Sequence, residues 1–237
     1  MKDFKTIVSK IKGERTSIGT LNEKTLHAAI KHFLEPDQSF HEIPINEYIA
    51  DVVKGNHIYE IQLRNFNTLR SKLSSFLKDH QVTIVYPLAA VKYIHYVDDS
   101  GEIISSRKSP KSCHPLDCSH ELYKIKPFLS NPNLRIKLLL IESCEYRHNH
   151  KPKYNETNKI DQVPLKLIEE INLTSPLDYL KMLPDSLKEP FTTKDLAKEA
   201  RIRLKTAQVS SNILSHLGVI NKIGTDKRLY LYKRVTP

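Results

Sequence analysis

The 237-residue sequence is poor in cysteine, with three, and in glycine, with six. Three cysteines in a chain of this length do not build a disulfide framework, and a reducing cytoplasm is the expected compartment. Six glycines leave little material for a nucleotide-cradling loop, and there is no Gly-rich phosphate loop, no G-x-S-x-G and no kinase signature. No apolar run approaches the ~18 residues of a membrane span, so no membrane partner is expected. The N-terminus, Met1-Lys2-Asp3-Phe4-Lys5, lacks an apolar stretch after its lysines, which argues against a secretory signal.

What is present is a soluble globular composition, 39% hydrophobic and 27% charged, with length for one good core and a smaller module, or two modest cores. The net charge of +10 is unevenly spread. Residues 190–237 hold ten Lys/Arg against three acids, leaving only +3 on the other 189 residues. A basic module on a nearly balanced body points to a polyanionic partner, because each cation set against a phosphate releases condensed counterions. A merely solvated surface is the other reading of the same charge.

Hydrophobic spacing orders the rest. Ile7, Val8 and Ile11 fall at helical spacing, and Leu21 to Phe33 repeats Leu26, Ala29, Ile30 and Phe33 as a helix does, with Asn22 as cap. Tyr48–Val53 and His57–Leu63 read as strands joined by a Gly55-Asn56 hairpin turn. Phe66, Leu69, Leu73, Phe76 and Leu77 mark an amphipathic helix with Arg70, Lys72 and Lys78 off its apolar stripe. Val82–Tyr86 suits a central strand buried on both faces. Val91–Val97 and Glu102–Ser105 form a second hairpin, followed by a loop with Arg107, Lys108 and Lys111. Glu121–Leu129 looks helical, Leu134–Cys144 is a strong strand, and Arg147–Gln162 reads as an exposed loop. The expected class is a mixed α/β core ending where Pro176, Pro184 and Pro190 punctuate a connecting helix.

Beyond that boundary, Thr192 or Thr193 can cap a helix through Ala200, and a turn at Arg201-Ile202-Arg203 leads to a second helix, Leu204 to Leu217, with Gly218 at its end. Val219-Ile220 starts a strand, Gly224–Lys227 turns, and Leu229–Tyr232 returns. The segment from about Phe191 to Pro237 resembles the winged helix-turn-helix family. That resemblance implies duplex DNA as partner, with Arg203, Lys205, Thr206, Gln208, Ser211 and Asn212 on the outward face of the second helix and Lys227 and Arg228 on the wing. A winged helix used for protein contacts is the alternative.

Asp51 lies on the first hairpin strand and Glu60 nine residues later on the second, so the turn brings the two acids alongside one another. Adjacent carboxylates repel unless a cation bridges them, and such oxygen donors suit Mg²⁺. Here the sequence resembles the PD-(D/E)xK nuclease superfamily, the restriction-endonuclease fold. The order of elements fits from about residue 20 to 86, with Asp51 as the first acid, Glu60 as the second, and Glu23 on the preceding helix as the upstream one. Ala50 stands where the family's proline often stands, and Gln62 stands where its lysine does.

The resemblance implies a restriction-endonuclease-like mixed sheet flanked by helices over residues 1–185, and a small winged-helix domain over 186–237. It further implies Mg²⁺- or Mn²⁺-dependent hydrolysis of DNA, with Asp51, Glu60 and Glu23 holding metal, Gln62 orienting water, and a homodimer cutting both strands. The rivals are a non-catalytic DNA-binding regulator, which Gln62 favours, and a protein-interaction or ligand-sensing core in which Asp51 and Glu60 do not converge. Cys113, His114, Cys118 and His120 have an irregular spacing for zinc, and Cys144 with His148 and His150 is similar.

Overall fold

A computed structural model describes residues 4–13, 25–149 and 158–235. The protein is mixed α/β, with one seven-stranded sheet flanked by helices on both faces. Helix α1 (Phe4–Gly13) and α2 (Thr25–Leu34) precede three strands, β1 (His41–Ile45), β2 (Tyr48–Lys54) and β3 (His57–Ile61). Then follow α3 (Arg70–Phe76), β4 (Gln81–Val97), β5 (Ile103–Lys108), α4 (Ser119–Lys124), β6 (Leu134–His148) and β7 (Lys159–Leu173). The C-terminal elements are α5 (Thr193–Glu199), α6 (Leu204–His216), β8 (Ile220–Asp226) and β9 (Leu229–Arg234). Among the described residues no helix is long and apolar enough to cross a membrane.

The large sheet runs β1-β2-β3-β4-β6-β7. Its first three strands are antiparallel, β3 lies parallel to β4 and β4 parallel to β6, and β7 returns antiparallel. The central strands alternate between two cores. Ile84 of β4 and Ile136, Leu138 and Leu140 of β6 face the larger one. Val85, Leu139 and Ile141 face the smaller one beneath α1 and α2. Covering both faces is what makes these strands near-continuous apolar runs in the sequence.

Strand β4 is longer than its apolar run. Its first part carries β3, with Ile61 opposite Val85, and its last part carries β5, with Tyr93 opposite Lys108. Among the described residues no strand pairs with that edge from Tyr86 to Val91, a gap of about 20 Å at ~3.3 Å per residue.

The expected exposed loop at Arg147–Gln162 needs correction. Strand β6 continues to His148 and β7 begins at Lys159; residues 150–157 lie outside the described part. Arg107 and Lys108 belong to β5 and not to a loop. The turn of the C-terminal hairpin also sits later than expected. Asp226 pairs with Leu229, so Lys227 and Arg228 make the turn, with Lys227 left-handed at φ 55, while Gly224 lies within β8 at a register shift.

Thr192 caps α5: its hydroxyl accepts from the Asp195 N–H, and the Asp195 carboxylate accepts from the Thr192 N–H, satisfying free donors of the first turn. The order helix, turn, helix, hairpin follows. Its apolar residues, among them Leu196, Ala207, Ile213 and Leu214, join the larger core together with Leu116, Leu122 and Ile125 from the α4 region.

Candidate active site

The hairpin sets the register. Val52 opposes Tyr59, Val53 opposes Ile58 and Lys54 opposes His57, a pairing that brings Asp51 alongside Glu60. At that point side chains replace the main-chain ladder. The Asp51 N–H donates to Glu60 Oε1 at 3.3 Å, and the Ile61 N–H donates to Asp51 Oδ2 at 2.7 Å. The two carboxylates therefore occupy the seam between β2 and β3, each tied to the other's strand. The hairpin turn brings the two acids to neighbouring positions, with Glu60 held towards α3 by Lys72 and Asp51 towards α2 by His27.

Glu60 is buried, with 3% of its side chain exposed. Loss of water pushes its carboxyl up to about 7, and the neighbouring Asp51 charge pushes in the same direction; Lys72 opposes both. Lys72 Nζ donates to Glu60 Oε2 at 2.9 Å and to the Ile49 carbonyl at 2.7 Å. It stands on α3, which is fixed to the sheet by buried Leu73 and Phe76. Fully burying one such side chain contributes about 1.5–3 kcal/mol, so the helix that carries the lysine is firmly seated.

On the other side of the seam, His27 of α2 places Nε2 3.3 Å from Asp51 Oδ2. The flanking Leu26, Ala28 and Ala29 are buried and hold this turn of the helix against the smaller core. The carboxylate pair thus lies between an ammonium from one helix and an imidazole from another. Neither Lys72 nor His27 was assigned to the site from sequence. The signal for Lys72 was available: it adjoins the sheet-facing Leu73 on a helix that must fold back over β3.

Gln62 is placed differently from expectation. Its Nε2 donates to the Arg64 carbonyl, with the Asn65 carbonyl and Thr68 Oγ1 each at 3.4 Å. Its amide braces the turn in which Asn65 adopts a left-handed φ of 58, and none of its hydrogen bonds reaches either carboxylate. Glu23 lies outside the described residues. Among the described residues no group of three His, Cys, Asp or Glu is placed to share a metal ion. The donors that the seam does offer are two adjacent carboxylates. Carboxylate oxygens are the donor type that Mg²⁺ takes, although Glu60 Oε1, Glu60 Oε2 and Asp51 Oδ2 here already accept from the Asp51 N–H, Lys72 and the Ile61 N–H.

The predicted DNA-contact residues divide into two groups. Arg203, Lys205, Gln208, Lys227 and Arg228 are exposed. Thr206 and Ser211 are buried, which corrects the expectation that they face outward. For Thr206 the reason is the packing of α6 on α4. Ser119 and Ser210 share a buried hydrogen bond at 2.8 Å, and His120 Nε2 lies 3.0 Å from Thr206 Oγ1. Asn212 is exposed, but its Oδ1 accepts from Lys126 Nζ at 2.8 Å.

Comparison with known proteins gives relatives for the sheet and its site. A family model described as "Domain of unknown function (DUF8091)" matches residues 24–174. An "Uncharacterized protein" of Treponema pallidum (strain Nichols) is 27% identical over 186 residues, covering 77% of this chain and 74% of that protein. No solved structure matches the chain. The family match spans more than half of the sequence and takes in Asp51, Glu60, Lys72 and His27, while α5, α6, β8 and β9 lie beyond it. The chain belongs to the DUF8091 family.

Proposed function

We propose that the protein is a Mg²⁺- or Mn²⁺-dependent deoxyribonuclease built on a restriction-endonuclease-like core with a C-terminal winged helix. The observation that carries this reading is the Asp51–Glu60 pair in the seam of the β2–β3 hairpin, with Lys72 bonded to Glu60. The succession hairpin, helix α3, parallel strand β4 supports the same fold. The basic C-terminal segment, +7 over residues 190–237, supports a DNA partner.

Asp51 and Glu60 would hold the metal, with Glu23 as a further donor. When bound, such an ion acidifies a water and neutralises charge on the phosphate. The chain's own groups do the rest. Lys72 favours the ionised form of Glu60 and brings a positive charge to the centre, the role that Gln62 leaves open by facing the turn. His27, with Nε2 3.3 Å from Asp51 Oδ2, helps fix that carboxylate's orientation. As in other nucleases of this fold, a homodimer would align two such sites on opposite strands.

A DNA-binding regulator without chemistry is the second reading. It is favoured by the Lys72–Glu60 ion pair, which already supplies a counter-charge to the seam. The test is plasmid DNA incubated with the protein in Mg²⁺ and in Mn²⁺. The nuclease reading expects nicking or linearisation that Asp51→Asn and Glu60→Gln each remove. Tight DNA binding with intact plasmid in both metals selects the regulator.

A further inference from the structure

Where α6 meets the core, the two enclose a cleft of about 710 Å³. Five Lys/Arg line it: Lys92 of β4, Lys111 after β5, and Arg201, Arg203 and Lys205 at the entry to α6. Asp117 is the single carboxylate among the lining residues, and it is already engaged by the His114 N–H at 2.8 Å. Lys92 is paired with Glu145 at 3.2 Å. Lys111, Arg201, Arg203 and Lys205 are exposed, and among the described residues none of the four pairs with a carboxylate. Four unneutralised cations around one concavity repel each other and focus a positive potential into it, which an anion relieves.

The lining also says which part of a nucleic acid it suits. Its only ring is the His120 imidazole, which is bound to Thr206, so there is no platform for stacking bases. Cations without aromatics fit phosphates. The face of α6 with Thr206 and Ser210 is buried against α4, so this helix cannot present that face to a major groove. The cleft lies beside Ala89 and Lys92, at the far end of the unpaired β4 edge from Gln62, whose N–H bonds the Val85 carbonyl at 3.0 Å. Along β4 from Val85, Ala89 lies about 13 Å away and Lys92 about 23 Å at ~3.3 Å per residue, a span of about four to seven nucleotides of one strand.

We infer that this cleft grips the phosphate backbone of the strand presented to Asp51 and Glu60, and that α6 serves as its cationic wall and not as a reader of base edges. This rests on the reading that the protein acts on DNA, and it adds that binding is indifferent to sequence.

The test is fluorescence anisotropy of the full chain with several short duplexes of unrelated sequence, in EDTA so that no cleavage intervenes, over a range of salt. The triple variant Arg201→Ala/Arg203→Ala/Lys205→Ala changes only exposed side chains, and circular dichroism checks its fold. It should bind every duplex about 10–100-fold more weakly, with a log K against log salt slope shallower by about 2–3. Gln208→Ala, the exposed uncharged side chain of α6, should bind as wild type. Unchanged affinity of the triple variant overturns the inference. So does a preference of about 100-fold for one sequence that Gln208→Ala erases. Cleft-dependent binding without cleavage would remove the nuclease reading and leave this one standing. Cleavage that persists with full binding by the triple variant would do the reverse.

Discussion

Lys72 Nζ bonds Glu60 Oε2 at 2.9 Å and the Ile49 carbonyl at 2.7 Å, so one ammonium ties α3 to β2 and β3 across the carboxylate pair. Removing it leaves a buried carboxylate beside another with no counter-charge. Breaking a buried pair from one side costs about 3–5 kcal/mol, and less here because Lys72 is about a quarter exposed. Lys72→Met is therefore expected to lose about 2–3 kcal/mol at pH 8, and much less at pH 5.5, where Glu60 is protonated. Urea unfolding at the two pH values checks this; equal losses at both would mean that the lysine acts by packing and not by charge.

Glu60 makes stability depend on pH in a known direction. Its carboxyl rises to about 7 in the folded chain from an ordinary 4.5, burial being the largest cause and Asp51 the next. Between those values the folded state binds a proton that the unfolded state releases, so this group's contribution is complete below about pH 4.5 and is lost as pH rises to about 7. In metal-free buffer the wild type should lose about 3 kcal/mol relative to Glu60→Gln across that window. Millimolar Mg²⁺ should restore more stability at pH 8 than at pH 5.5, because it binds the ionised pair. A flat difference between wild type and Glu60→Gln from pH 4.5 to 7 would show that Glu60 titrates normally.

Gln62 is expected to be a brace. Its amide holds the Arg64 and Asn65 carbonyls of the turn before α3, so Gln62→Ala should cost about 1 kcal/mol of stability and leave cleavage within a few-fold. Thermal melts and cleavage rates measured on the same preparation separate the roles. A drop of two orders of magnitude in rate with an unchanged melting temperature would return Gln62 to the water-orienting role that its position after Glu60 suggests.

The α4–α6 junction is open to a thermodynamic cycle. Ser119 and Ser210 are both fully enclosed and hydrogen-bond each other, and Ser210 also donates to the Thr206 carbonyl at 2.8 Å. Ser210→Ala leaves the buried Ser119 hydroxyl without this partner, at about 1–2 kcal/mol, Ser119→Ala removes one of the two bonds of Ser210, and the double change removes both groups at once. The coupling should exceed ~0.5 kcal/mol. Additive losses would indicate that the two units do not meet through these residues.

The hairpin was legible from alternation alone, since Gly55-Asn56 leaves few other ways to connect Tyr48–Val53 with His57–Leu63, and the meeting of Asp51 with Glu60 follows from that turn. The C-terminal order of two helices and a hairpin was legible from its caps, Thr192 with Asp195 and Gly218 at φ 69. Strands β1 and β7 were not. Both are edge strands, where Pro44 or Pro164 is tolerated and one side faces water, so Lys166, Glu169 and Glu170 hide the alternation that Val163, Ile171 and Leu173 carry. The inward turn of Thr206 and Ser211 was hidden for another reason. Short polar side chains serve equally on a groove-reading surface and in a tightly packed helix contact, and for Thr206 only the presence of His120 opposite it decides.

In the proposed function, phosphodiester bonds break at the seam between β2 and β3. The most direct test is the single-turnover cleavage rate of an end-labelled duplex in saturating Mn²⁺, for wild type, Asp51→Asn and Glu60→Gln, with folding checked by thermal melts. Each isosteric change should lower the rate by at least about 10³-fold while DNA affinity in EDTA stays within a few-fold. A wild type that never cuts, or variants that cut at the wild-type rate, would contradict it.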